Sequence, residues 1–279
     1  MKKFTLLLLS LASTIIMNPV NAAEHKGKIL VLLSSENVMQ LKDGKTEPTG
    51  YYLNEFGVPA DRLLQAGYQL VLATPKGNAP SVDKKSINTQ YFGNDANEMQ
   101  RIEKVIQSIP GIKDTRSLKE VIKDGLEQYK AVFIPGGHAP LIDLANNPEV
   151  GIILKHFHAT GKPTAAICHG PIALLSAQDE PEAYARSLLT QSPVAARNWI
   201  YQGYKMTIFS DPEEAVFESS LNGARLAYYP GQAMQKAGGQ MEYATAWSPH
   251  IVIDRELITG QNPFSDKALA DAIIKMLNP

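Results

Sequence analysis

The chain of 279 residues contains a single cysteine, Cys168, so no disulfide can form within it. Lysine and arginine number 27 against 28 acids, and the formal net charge is −1. That balance lacks the basic excess on which sequence-independent nucleic-acid binding depends. There is no glycine fingerprint for a dinucleotide, no phosphate-cradling P-loop, and no His/Cys set at zinc spacing, so no metal or organic cofactor is expected. Internal repeats, low-complexity tracts and interdomain linkers are also missing, which predicts one domain over residues 24–279. The apolar stretch Phe4–Met17 is shorter than the ~20 residues that span a bilayer.

That stretch follows the basic MKK and precedes VNA, Val20–Ala22. Basic, apolar and small-residue regions in this order read as a secretory signal peptide over residues 1–22, cut after Ala22. The expected location is therefore periplasmic or secreted, with no membrane attachment after cleavage. Losing the two leader lysines would take the net charge from −1 to −3. In an oxidising compartment a lone thiol is a liability, so it is either buried and inert or kept for its reactivity.

What is present is a succession of apolar runs. KILVLLSS (28–35), YQLVLATP (68–75), KAVFIPGG (130–137) and KPTAAIC (162–168) suit strands covered on both faces. MTIFS (206–210) and YATAW (243–247) are weaker strand candidates, and VIDRELITGQNP (252–263) reads as a hairpin at the sheet edge. Helical patterns fall between most of these runs. Asn147 and Pro148 form a good helix start, Val150, Ile153, Leu154 and Phe157 make its apolar stripe, and Gly161 stops it. His156 and His158 fall off that stripe and read as surface histidines. Residues 97–109 and 117–126 read as short amphipathic helices, 265–277 as a closing helix, and 77–94 as a long polar loop. Strand–helix alternation of this kind builds a mostly parallel sheet with helices on both faces.

Ligands bind such sheets at the carboxyl ends of the strands, and three pieces of the sequence lie there. In AAICHGPIALL (165–175), Cys168 ends a strand, with small residues at Ala166 and Gly170 where a tight strand-to-helix elbow needs them. The N–H groups of the helix that follows would lower the thiol pKa. In PGGHAP (135–140), paired glycines let a backbone N–H approach a ligand; His138 reads as a structural loop residue. In TGYYLNEFGVPADRLLQAG (49–67), Pro59 fits a first helical turn and puts Glu55 at the helix start, facing the same rim.

Together with VDKKS, IFSDPEE and ITGQNPFSD, these segments make the chain from Lys28 onward resemble the PfpI-type superfamily, relatives of the class I glutamine amidotransferases, and within it the chaperone and glyoxalase III branch. The resemblance implies a flavodoxin-like three-layer α/β sandwich. It also implies a nucleophile at Cys168, a proton-transfer histidine at His169, an acid touching the thiol at Glu55, and a histidine-orienting acid at Glu214, with Asp211 as the alternative. The oxyanion hole would be formed by the N–H groups of Gly137 and His169. The implied chemistry is glutathione-independent conversion of methylglyoxal to D-lactate, with a small aldehyde as substrate and a homodimer as the common assembly. The same residues leave room for a cysteine amidase or peptidase, a thiol redox sensor, or a non-enzymatic holdase using apolar surface near Trp199 and Tyr201. The stretch 178–204 is longer and more aromatic than the superfamily pattern, as a lid or an oligomer contact would be.

Overall fold

The computed structural model describes residues 25–192 and 194–278. The proposed signal peptide lies outside the described residues. A seven-stranded sheet forms the centre: β1 (Lys28–Leu32), β2 (Gln69–Thr74), β3 (Arg116–Ser117), β4 (Tyr129–Ile134), β5 (Thr164–Ile167), β6 (Ile251–Asp254) and β7 (Leu257–Gly260). Their spatial order is β6-β7-β5-β4-β1-β2-β3. Every pairing is parallel except β6 with β7, the expected edge hairpin. This is the mostly parallel α/β architecture that the sequence predicts.

Alternation along the strands sends side chains to two cores. Ile29, Val31, Phe133, Ala165 and Ile167 pack on one face, under α1 (Leu53–Gln65) and the closing helix Asp266–Leu277. Leu30, Leu32, Val132, Ile134 and Ala166 pack on the other, under the helix Pro148–Ala159. Asn147 caps that helix as expected, its Oδ1 accepting from the N–H of Glu149 at 2.8 Å. His156 and His158 are half-buried rather than free in water, and His158 bonds Glu256 at 2.8 Å.

Several expectations are corrected. Residues 206–210 and 243–247 add nothing to the main sheet: Lys205–Met206 pairs only with Gln240–Met241, and 243–247 is irregular. Pro59 lies inside α1 instead of in its first turn, so Glu55 is the third helical residue. The polar loop 77–94 carries two short 3₁₀ turns, and its Ser86 hydroxyl accepts the N–H of Leu53, capping α1 from outside at 2.9 Å. The aromatic side chains of the stretch 178–204 do not form an exposed surface. Trp199, Tyr201 and Tyr204 are buried in the core beside Leu174, and the Trp199 indole donates to the Leu174 carbonyl at 2.6 Å. A holdase surface centred on Trp199 and Tyr201 is thereby ruled out.

Candidate active site

The site forms where adjacent strands β4 and β5 end. Past β5 the chain turns sharply at Cys168, whose φ of +58° lies in the left-handed region that side chains seldom occupy. A buried, non-glycine residue in that conformation is held there by its surroundings, as functional strain commonly is. The turn continues into a 3₁₀ helix, Gly170–Ser176, not an α-helix. A side chain at position 170 would collide with the carbonyl of Ile134, its Cβ lying 2.3 Å from that oxygen, so only glycine lets the elbow seat on β4.

Three of the predicted residues line up from this elbow. Sγ of Cys168 lies 3.2 Å from Nδ1 of the neighbouring His169, and Nε2 of His169 lies 2.6 Å from Oε1 of Glu214. All three side chains are buried. Glu214 comes from the first turn of the helix Asp211–Ser219 and projects inward. The alternative, Asp211, is half-buried and bonds Gln232 at 2.6 Å, away from His169. Burial alone would raise the Glu214 carboxyl, but His169 and His138 beside it outweigh burial and hold it at about 2, fully ionised.

Sequence reasoning missed the role of His138. Its Nε2 lies 3.2 Å from the second oxygen of Glu214, so the carboxylate is clamped between two imidazoles. The ring stacks on Phe217 at 3.9 Å and lies 3.9 Å from the ring of His169. Burial, reinforced by His169, pushes its pKa down. Facing an ionised carboxylate, the His138 Nε2 donates to Glu214. The signal was available, because PGGHAP follows a strand on the same rim as the cysteine.

Glu55 is the fourth residue, fully buried on α1. The turn Gly136–Gly137 brings it to the thiol: a Cβ on Gly136 would lie 2.3 Å from Oε2 of Glu55 and 2.6 Å from Cβ of Cys168. Gly137, at φ +85°, packs against the carbonyl of Gly50 just ahead of α1. Neither Glu55 oxygen has a partner at good hydrogen-bond geometry. Burial pushes its pKa well up, against smaller lowering contributions from the Cys168 thiol and the Gly137 N–H. Burial, with Glu55 next, also pushes the Cys168 thiol up, opposite to the expected drop. The adjacent acid and thiol therefore resist losing protons, and a charge on one opposes a charge on the other.

A cavity of about 220 Å³ opens over this group, walled largely by Tyr52, Tyr91, Phe209, Phe217 and Trp247. His138, His169 and Glu214 also offer three buried atoms close enough together to hold a cation. Direct hydrogen bonds link these atoms to one another.

Fold and site define a class: an α/β protein with a cysteine at a strand-to-turn elbow, backed by a histidine–glutamate pair. The DJ-1/PfpI family model matches residues 49–185, the span that carries Glu55, the PGG turn and the elbow, so the chain carries a DJ-1/PfpI family domain. Among curated relatives, protein/nucleic acid deglycase HchA from Staphylococcus aureus is 27% identical over 271 residues, covering 92% of this chain and 85% of the relative. Among solved structures, glyoxalase III from Candida albicans aligns with a TM-score of 0.70 at 23% identity, covering 90% of this chain and 98% of that one. The 24 kDa rapid encystment protein from Francisella tularensis aligns at 0.69 and 23% identity, covering 91% and 100%. These two structural likenesses show the fold alone.

Proposed function

We propose that the protein is a cysteine-dependent, glutathione-independent enzyme that removes α-oxoaldehydes or their early adducts on amines, with methylglyoxal to D-lactate as its reference reaction. The observation that carries this reading is the unbroken line from Cys168 through His169 to Glu214 beneath an aromatic-walled cavity. The deglycase relative supports the substrate class through its name. That name includes nucleic acid, which a glycation-removing enzyme would meet one modified base at a time, without the basic surface that this chain lacks.

The steps follow from the geometry. As Sγ attacks the aldehyde carbon, His169 Nδ1 takes the thiol proton, and ionised Glu214 stabilises the imidazolium. The proton then passes to the alkoxide, giving a neutral hemithioacetal, with the N–H groups of Gly137 and His169 as the proposed oxyanion donors. Neutral His169 next removes the hydrogen on C1 and returns it to C2 through an enediol. Glu55, whose burial favours the protonated form, suits an acid that donates to the enediol oxygens better than a base. Water finally releases lactate from the thioester. Purified protein with methylglyoxal and no glutathione should form D-lactate, lost in Cys168→Ala. Lactate formation that persists in that variant would overturn the reading.

We further propose a periplasmic or secreted location and a homodimeric assembly.

A further inference from the structure

We infer that the site is built for α-oxoaldehydes carrying an aryl or bulky apolar group, and that Phe217 and Trp247 set this preference; the inference rests on the reaction proposed above. Methylglyoxal has five heavy atoms and presents only a methyl group beyond its two carbonyls. The cavity of about 220 Å³ is far larger than that, and what surrounds the thiol is ring faces and edges. Phe209 lies 4.8 Å from the His169 ring and meets Trp247 edge-on at 5.6 Å, while Tyr52 meets Tyr91 edge-on at 5.6 Å.

This wall is placed deliberately by the same helix turn that supplies the triad acid. Glu213, next to Glu214 and fully buried, accepts the backbone N–H of Trp247 at 2.7 Å and the side-chain amide of Asn262 at 2.8 Å. Trp247 itself stands at φ +67°, a left-handed conformation unfavourable for a large aromatic residue. The strained backbone is thus fixed by a buried carboxylate, which sets the indole at the cavity. Phe217, one turn along from Glu213, is pinned by its stack on His138. Among the described residues lining the cavity, the one lysine or arginine is Lys85; it is paired with Glu47 and lies 4.7 Å over the Phe217 ring, so its charge is already balanced and calls for no anionic group on the substrate.

The chemistry balances without an outside oxidant. Phenylglyoxal plus water gives mandelate: C1 is oxidised from aldehyde to acid, C2 is reduced from ketone to alcohol, and the C1 hydrogen travels as a proton to C2. Burying a phenyl ring in place of a methyl group against an aromatic wall corresponds to roughly ten- to hundredfold in kcat/KM.

The test compares phenylglyoxal with methylglyoxal in the wild type, Phe217→Ala and Trp247→Ala. In parallel, mandelate and lactate are titrated calorimetrically against Cys168→Ala, in which no turnover intervenes. We expect phenylglyoxal to be favoured at least tenfold, each wall variant to reduce that ratio toward one, and mandelate to bind at least tenfold more tightly than lactate. A ratio of one or less, or one that neither variant changes, overturns the inference while leaving the reaction intact. If neither aldehyde turns over, the proposed reaction fails, and the titrations alone decide the wall: equal binding of the two acids overturns the inference, and preferential mandelate binding upholds it.

Discussion

Glu55 offers a measurable consequence of burial that is independent of activity. In the unfolded chain its carboxyl titrates near its ordinary value of 4.5, whereas in the fold burial holds the proton well above that value. Between those limits the folded state keeps a proton that the unfolded state has released. A raised folded pKa means that this contribution is fully favourable below pH 4.5 and is lost as pH rises toward the folded value. Within that window stability falls by about 1.4 kcal/mol for each pH unit. Glu55→Gln removes the titration and keeps the shape of the protonated acid. Urea unfolding of both proteins from pH 5.5 to 7.5 should show the variant gaining on the wild type as pH rises, by no more than about 1.4 kcal/mol per pH unit. A constant offset from repacking an amide cancels, because only the change with pH is read. A difference that stays flat across the range would show the acid–thiol pair already carrying a charge in the folded state, and would refute the argument that burial keeps Glu55 protonated.

Glu214 should behave in the opposite sense: held at about 2 against 4.5 unfolded, it contributes stability above pH 4.5 that is lost as pH falls toward 2, so Glu214→Gln should flatten the acid limb of a urea-stability profile between pH 5 and 3. His138→Gln, which can still donate to the second oxygen of Glu214, should keep most of kcat, whereas His138→Leu should lower kcat by roughly 10–100-fold with KM little changed; equal losses in both would make the residue merely a packing element. Alkylation of Cys168 by iodoacetamide should remain slow at pH 7 and accelerate only above the ordinary thiol range, and a plateau reached by pH 7 would contradict the buried, protonated thiol.

How much of this was legible depended on whether the deciding interaction was local. The sheet was readable because its central strands are covered on both faces and so appear as unbroken apolar runs, and the elbow because tight backbone approach permits only small residues beside Cys168. Residues 206–210 and 243–247 have strand-like composition too, but they sit against the second core and the loop held by Glu213, where side-chain bonds replace ladder bonds. The aromatic stretch 178–204 looked like a surface because its length was visible and its partner, Leu174 in the 3₁₀ turn, was not. Glu214 could be separated from Asp211 only by knowing which side of one helix turn faces inward. The adjacent acids Glu213 and Glu214 then take different tasks, one holding the cavity wall and the other the histidines.

The thiol shows where local reasoning gave the wrong sign. A helix N-terminus stabilises a nearby anion by ~0.3–1 kcal/mol when exposed and by up to ~2 kcal/mol when partly buried. Removing a charge from water costs several kcal/mol even after relaxation. At Cys168 the first effect is weakened, because Gly170–Ser176 is a 3₁₀ turn, and the second is close to its maximum, because the residue is almost wholly buried beside an acid. Burial therefore wins. In the proposed reaction the consequence is a thiol without standing nucleophilicity, activated when His169 removes its proton as a substrate carbon arrives. That division between a quiet resting sulfur and a preset histidine–glutamate relay favours an enzyme over a redox sensor, since a sensor needs a standing thiolate that oxidants can reach.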